Sequence, residues 1–395
     1  MTALRNALSI LSLLFILTAC GGGGVDILVT DNDHRHEGDG DDYGYSIKQT
    51  SDRGYIIAGS TSSYGEGGQD VYLLKKDRFG RTVWETTFGG SGFDAGHQVI
   101  QTRDGNFVIA GSTNSFGRGA DDVYVIKTDS NGRILWEVTR GGSGIDIGHS
   151  IVGTSDGGYV IAGSTTSYGE GRNDVYLIKL DRDGYLIWET AFGGQGDDLG
   201  YSIKETPDAG FIITGSTTAW GYGADDVYLV KTNSNGAVMW ETAFGDNGPD
   251  IGYSVDVTAD AGYIITGFTT GDGYMEDVYL VKTDLNGYIE WQSTFGGSAR
   301  EFGYSVRETS DGDYIIAGST GSYGSGLDDV YLIKTDNRGD AIFEAAYGGS
   351  DIDIAYSVDE TTDGGYAVVG AARSFGYGDY DVYFLKTDIN GYKEL

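Results

Sequence analysis

The chain has 395 residues, of which 59 are acidic and 26 basic, so its formal net charge at pH 7 is −33. This excess of negative charge argues against binding to nucleic acid and against docking of the folded part on anionic lipid, because both surfaces are negative themselves. The single cysteine excludes a disulfide framework, and a chain of this length can bury a large core without one.

The first 19 residues are predicted to be a signal peptide. Arg5 precedes an apolar run from residue 7 to residue 19, which is too short to span a bilayer. The run ends in Leu17-Thr18-Ala19-Cys20, which resembles the bacterial lipobox, where the cysteine becomes lipid-modified and N-terminal. The resemblance implies a lipid on Cys20, and the absence of Asp after it favours the outer membrane. The alternative is a plain secretory signal with an incidental cysteine.

Residues 20–42 are predicted to be a lipidated tether followed by a closing strand. Four glycines after the cysteine make a flexible linker. Val25–Thr30 is strand-like and precedes the first copy of the repeat described below, so it is predicted to help complete the last blade. Acids then crowd together, and Asp39, Asp41 and Asp42 form a hypothetical calcium loop that lacks the full ligand spacing.

From residue 43 to residue 395 the chain repeats itself seven times, with a period of about 52 residues. The clearest marker is Asp-Val-Tyr, whose valines are Val71, Val123, Val175, Val227, Val278, Val330 and Val382. Each copy has four short β-rich runs, here called strands A to D, separated by turn residues. Several runs are apolar at consecutive positions, which indicates burial on both faces, as in radially stacked blades. The sequence therefore predicts an all-β, seven-bladed β-propeller of four-stranded antiparallel blades. An open solenoid is the alternative, but it usually has atypical terminal copies, and here they are ordinary.

Strands C and D resemble those of a known propeller repeat. In the third copy they run from Val175–Lys179 through Gly184 to Trp188, and this resembles the PQQ-like (pyrroloquinoline quinone) repeat with its docking tryptophan. The equivalent positions are Trp84, Trp136, Trp188, Trp240, Trp291 and Phe343. The mature chain is also similar to bacterial lipoproteins built of Asp-Gly-Gly-Tyr-Ile-Ile-Ala-Gly-Ser-Thr repeats. The resemblance implies that the tryptophan is a wedge between blades. One PQQ-like lipoprotein family scaffolds outer-membrane protein assembly with eight blades, and no quinone-binding set is recognisable here.

Antiparallel strands place the A–B and C–D hairpins at one end of the ring, the hairpin end, and the B–C and D–A loops at the other, the loop end. The B–C loops contribute aromatic residues, namely Tyr64, Phe116, Tyr168, Trp220, Tyr274, Tyr323 and Phe375. An acid precedes each strand A, namely Asp42, Asp94, Asp146, Asp198, Asp250, Glu301 and Asp353. We expect the aromatics to contact a partner and the acids to bind Ca²⁺ near the channel mouth. The alternative is structural: each acid caps backbone N–H groups in its own loop, and each aromatic plugs the gap between blades.

Few residues break the repeat. His97 and His149 replace the tyrosine found at this position in the other copies, as at Tyr45. Two histidines can hold a metal ion, but histidines in strands are usually packed or solvated. No nucleophile, metalloprotease or P-loop motif is present.

The sequence therefore predicts a lipid-anchored, non-catalytic binding or scaffolding module at the bacterial cell envelope. Its expected partner is a neutral or basic protein or glycan, and the propeller is expected to be monomeric. No organic cofactor is firmly implied, and calcium is the candidate ion. The alternative is a propeller enzyme that acts on glycans or alcohols, because carboxylate pairs abound.

Overall fold

A computed structural model describes residues 40–221, 223–271, 275–376 and 379–394. Over these residues the chain forms strands β1 to β27, arranged in seven separate antiparallel sheets that follow one another along the chain. The described residues contain no helix that is long and apolar enough to cross a membrane.

Strands A and B begin each blade. Strand A is β1 (Asp42–Gln49), β5 (Asp94–Gln101), β9 (Asp146–Gly153), β13 (Asp198–Glu205), β17 (Asp250–Val257), β21 (Glu301–Glu308) and β25 (Asp353–Glu360). Strand B is β2 (Tyr55–Thr61), β6 (Phe107–Thr113), β10 (Tyr159–Thr165), β14 (Phe211–Thr217), β18 (Tyr263–Thr269), β22 (Tyr314–Thr320) and β26 (Tyr366–Ala372). Neighbouring A strands contact one another around the axis, and β25 contacts β1, so the ring closes.

Strands C and D complete each blade outward. Strand C is β3 (Asp70–Lys76), β7 (Asp122–Thr128), β11 (Asp174–Leu180), β15 (Asp226–Thr232), β19 (Asp277–Thr283), β23 (Asp329–Thr335) and β27 (Asp381–Thr387). Strand D is β4 (Thr82–Phe88), β8 (Ile134–Arg140), β12 (Leu186–Phe192), β16 (Val238–Phe244), β20 (Ile289–Phe295) and β24 (Ala341–Tyr347). The predicted seven-bladed propeller of four-stranded antiparallel blades is confirmed.

The middle strands of a blade are buried on both faces. Every residue of β10 and β11 is buried, whereas β12 exposes Leu186 and Ile187 at the outer edge. The core is accordingly a series of clusters between blades; one of them joins Val160 and Leu177 of the third blade to Phe211 of the fourth. Continuous apolar runs satisfy this geometry because each sheet is sandwiched between two others.

Strand A carries a β-bulge in every blade. In the first blade the pairing register of β1 with β2 shifts between Gly44 and Ser46, so Tyr45 is the extra residue. The same shift occurs in the other copies. Because side-chain direction alternates along a strand, one extra residue turns consecutive side chains toward the channel.

The seventh sheet has three strands among the described residues, β25 to β27. The chain beyond β27 turns back beside it, where the Glu394 N–H donates to the Lys386 carbonyl over 2.8 Å. The predicted closing strand, Val25–Thr30, lies outside the described residues, so its place in the last blade stays a prediction.

The repeated tryptophan lies between blades, as the sequence predicts. Trp188 of β12 packs against Phe211 of the next blade, with ring centroids 6.4 Å apart. A Cβ on Gly236 would lie 2.8 Å from the Trp188 ring, so the C–D hairpin of the next blade needs glycine to pass over it. The other five copies make the equivalent contact.

We expect Trp188→Ala to lower the free energy of unfolding by about 3 kcal/mol, because removal of a large packed ring leaves a cavity. Urea unfolding followed by circular dichroism measures the change. The adjacent Ile187 is 55% exposed, so Ile187→Ala is a matched control that should change stability by less than about 0.5 kcal/mol. Equal losses in the two variants would show that Trp188 is not a wedge.

Candidate functional site

The predicted partner residues lie in the B–C loops at the loop end. Phe116, Tyr168, Trp220 and Tyr323 are 40–45% exposed. Tyr64 and Phe375 are half-buried, and Tyr274 lies outside the described residues.

Each exposed aromatic is also held in place. The Tyr168 ring lies 5.5 Å from Tyr176 of strand C, and its hydroxyl donates to the Gly141 carbonyl over 3.0 Å. Trp220 lies 5.5 Å from Tyr228 in the same way. These side chains therefore pack against strand C of their own blade and still present a face to solvent, and their contact with a partner stays a prediction.

The seven acids of the D–A loops are the first residues of the A strands. All seven are buried, with 5% exposure or less. Asp94 Oδ2 accepts the Gly90 N–H (2.9 Å) and the Ser115 hydroxyl (2.6 Å). The Gly-to-acid N–H bond recurs in the third, fourth, sixth and seventh blades. Each acid is thus buried in its own loop and organises that loop.

The hypothetical calcium loop before β1 is only partly described. Asp41 Oδ1 accepts the Tyr380 N–H over 3.1 Å, so Asp41 ties the first blade to the seventh. Asp39 lies outside the described residues.

A second set of acids, which the sequence analysis did not single out, faces the first set. Strand C of each blade begins with Asp, and at six junctions this residue and the strand-A acid of the next blade lie beside the same glycine. A Cβ on Gly193 would lie 2.7 Å from Asp174 Oδ1 and 2.6 Å from Asp198 Oδ2. A Cβ on Gly348 would lie 1.9 Å from Asp329 Oδ1 and 2.6 Å from Asp353 Oδ2. The glycine leaves room for two carboxylates at each of these six junctions.

These pairs carry an electrostatic cost. Asp329 Oδ1 is buried and has no hydrogen-bond partner among the described residues. Burial and the neighbouring Asp353 carboxylate raise the pKa of Asp329 above its ordinary value. Burial, and then Glu301, raise the pKa of Asp277 in the same way.

In the described part of the chain, no group of three or more His, Cys, Asp or Glu side chains is arranged to hold a metal ion. The carboxylate pairs therefore supply two acidic side chains each, and calcium binding by the predicted acids stays a proposal. A bound proton and a bound cation would both relieve the repulsion between the two carboxylates. The effect of the proton depends on pH and that of the cation on added calcium, so experiment distinguishes them.

We expect Asp329→Asn to raise the melting temperature at pH 7. The raised pKa means that the folded state holds the proton more strongly, so this group favours folding below its unfolded pKa and the benefit is lost as the pH rises through the folded pKa. The gain from the substitution should therefore vanish near pH 3. If 1 mM CaCl₂ instead stabilises the unmodified protein but not Asp329→Asn, the pair binds calcium.

The channel is closed by a ring of aromatic side chains. The seven bulged residues of the A strands contact one another in sequence, with centroids 5.2–5.8 Å apart, and the last returns to the first: Tyr45, His97, His149, Tyr201, Tyr253, Tyr304 and Tyr356. Burial lowers the pKa of His97 to about 4, and burial and then His97 lower the pKa of His149 to about 3. Both histidines are therefore neutral ring members at pH 7.

A cavity of about 780 Å³ opens in the channel at the hairpin end. Its wall includes Ser46, Ser202, Lys48, Lys204 and Arg307, and it extends outward over the junction of the second and third blades. Sequence reasoning missed this site because it compared loops. The signal was present in strand A, whose seventh position differs from blade to blade.

No protein-family model matches the chain. Over 138 residues the chain is 26% identical to regulatory protein FlaEY of Caulobacter vibrioides, a match that covers 31% of this chain and 14% of that protein. The match spans a small part of the relative's length and does not establish a family.

The fold is similar to several solved structures. The WD40 domain of Neurospora crassa Pan2 has a TM-score of 0.51 at 11% identity, covering 85% of this chain and 86% of that one. Polysaccharide lyase Uly1 has a TM-score of 0.51 at 12% identity, covering 88% and 90%. BamB from Moraxella catarrhalis has a TM-score of 0.43 at 14% identity, covering 86% and 84%. At these identities the likeness to the Pan2 domain and to Uly1 shows the fold alone.

Proposed function

We propose that this propeller is a non-catalytic binding or scaffolding module held at the bacterial cell envelope, at the outer membrane, by a lipid on Cys20. Support for the anchor comes from the lipobox-like end of the leader and from the use of the chain's only cysteine there. The enzyme alternative gains no support from the lyase, because the likeness to it is one of fold.

The loop end is the proposed partner face. The observation that carries this proposal is that Phe116, Tyr168, Trp220 and Tyr323 remain 40–45% exposed although ring contacts hold them. Aromatic side chains fixed in advance lose little freedom on binding and are the residues on which interfaces most depend.

Charge selects the kind of partner. The loops between these aromatics carry acids such as Glu170, Asp225 and Asp328. A neutral or basic protein or glycan surface meets such a face without repulsion, whereas an acidic one does not.

Cys20→Ser is expected to release the protein from the membrane fraction, because the anchor would have no lipid attachment site. Cell fractionation with a high-salt wash measures the release. A variant that still sediments with membranes after the wash would contradict the lipid anchor.

The combined change Phe116→Ala and Trp220→Ala is expected to reduce partner capture from detergent extracts of envelopes by at least about tenfold, the scale of one interface anchor. The melting temperature should fall only slightly because both rings are partly exposed. Tyr185, which is 72% exposed in a C–D hairpin, supplies the control. Capture that survives the double change but is lost in Tyr185→Ala would move the partner face to the hairpin end.

A further inference from the structure

The cavity at the hairpin end departs from the sevenfold repeat. At the seventh position of strand A the seven blades carry, in order, Lys48, Ile100, Val152, Lys204, Asp256, Arg307 and Asp359. Positions that build the blades are nearly constant, so this variation is not required by the fold. It gives the channel one apolar side, at the second and third blades, and one charged side.

The charged side is basic on balance. Lys48 and Arg307 share Asp359, with N–O distances of 2.7 and 3.2 Å, and Lys204 pairs with Asp256 at 2.9 Å. Arg307 uses only its Nε in these contacts and in a 2.9 Å bond to the Val358 carbonyl. Among the described residues neither Nη atom of its guanidinium makes a hydrogen bond, and the two together form the fork that fits a carboxylate.

Below the charged positions lies a ring of hydrogen-bond donors. Each serine here accepts a backbone N–H from the next blade; Ser46 Oγ accepts Val99 N–H over 3.2 Å and Ser202 Oγ accepts Val255 N–H over 3.3 Å. A hydroxyl that accepts such a bond still has its proton to donate. In the described chain no protein acceptor takes the hydroxyl proton of Ser46, Ser202, Ser254, Ser305 or Ser357.

Gln98 completes the donor ring in the second blade. Its Oε1 accepts the Ile151 N–H and the Ser150 hydroxyl, at 2.5 and 2.8 Å, which leaves the amide N–H₂ to donate. A wall that offers donors and cations selects a ligand rich in oxygen acceptors and negative charge.

The cavity widens at Gly153. In five other blades the equivalent Gln or Glu accepts a backbone N–H from the preceding A–B hairpin, as Gln101 does from Ser51 over 2.8 Å. Gly153 has no side chain to do so, and a Cβ there would meet only Ile100 Cδ1, at 3.5 Å. The gap extends the channel over the second blade.

Lys127 borders this extension. In the other blades the equivalent lysine lies 2.8–3.1 Å from a hairpin aspartate. Lys127 Nζ lies 3.9 Å from Asp104 and 3.4 Å from the Arg182 carbonyl, so its own contacts are looser. The lining holds six basic side chains and two acids. Asp256 and Asp359 pair with three of the bases and still leave the site basic on balance, in a chain of net charge −33.

We propose that this cavity binds a small polycarboxylate with an apolar face. Carboxylates take the Arg307 fork, the lysines and the serine hydroxyls, and the apolar face lies against Ile100 and Val152. The volume of about 780 Å³ is that of a small-molecule site. This site is at the opposite end from the proposed partner face and does not depend on it.

Isothermal titration calorimetry with isophthalate tests the proposal, and isophthalamide is the neutral molecule of the same shape. Isophthalate should bind, more weakly as NaCl rises, and isophthalamide should not. Equal binding of the two, or no binding of isophthalate or of citrate, would overturn the proposal. Binding of inorganic phosphate without isophthalate would assign the cavity to another oxyanion and overturn it too.

Two substitutions place the ligand. Arg307→Gln should weaken isophthalate binding about tenfold, the scale of one charged hydrogen bond, while Lys48 still pairs with Asp359. Gly153→Gln should fill the gap and abolish binding without lowering the melting temperature, because the new side chain can take up the role of Gln101. Gly153→Ala, which adds only a Cβ, should leave affinity nearly unchanged.

Unchanged binding in both Arg307→Gln and Gly153→Gln would show that isophthalate binds elsewhere and would overturn the assignment to this cavity. The loop-end change of Phe116 and Trp220 should leave isophthalate binding intact. The two proposals can therefore fail independently.

Discussion

The inner edge of each blade imposes the constraint on which this ring depends. Strand A is the inner edge strand of each blade and pairs only with strand B. Its N–H groups on the side of the axis are buried, so they need acceptors outside their own sheet. The preceding blade supplies them: Ser150 Oγ accepts the Ile203 N–H over 3.1 Å, and its counterparts do the same around the ring. The β-bulge makes this contact and the aromatic ring compatible, because it presents both Tyr45 and Ser46 at the axis. The axis-facing N–H groups of strand A therefore account both for how the blades close into a ring and for which side chains line the channel.

Hydrogen bonding and burial divide the acids into two populations that respond to pH in opposite directions. In the A–B hairpins, hydrogen bonds from Lys179 and Thr154 lower the pKa of Asp156 to about 2. A lowered pKa contributes stability that is present above the unfolded value near 4 and is lost as the pH falls toward 2. At the blade junctions, burial raises the pKa of Asp198, and that contribution is lost as the pH rises instead. The hairpin acids therefore favour folding above the unfolded value near 4, whereas the junction acids favour folding most at low pH.

The blade count, the four strands of each blade and the tryptophan wedge could be predicted from the sequence because each is a local pattern repeated in register. The carboxylate pairs could not, because Asp174 and Asp198 belong to different blades and meet only when the angle between blades is known. The aromatic ring could not be predicted either. Alternation along a strand assigns Tyr201 to one face of the sheet, and the β-bulge at Tyr201 changes the face on which its side chain lies. The cavity depends on what is absent, the side chain of Gly153, and on the variable seventh position of strand A. Both features are visible in the sequence when the seven copies of strand A are aligned position by position.

The two ends of the ring differ in chemistry although the blades are alike. Constant residues place acids and aromatics at the loop end, while variable residues place lysine, arginine and hydroxyl donors in the channel at the hairpin end. The aromatic ring of the bulged residues separates these regions across the channel. The described chain enters β1 at the loop end, at Asp42, 22 residues after Cys20. The proposed partner face and the proposed cavity therefore lie on opposite sides of the aromatic ring, and each can take a ligand without displacing the other.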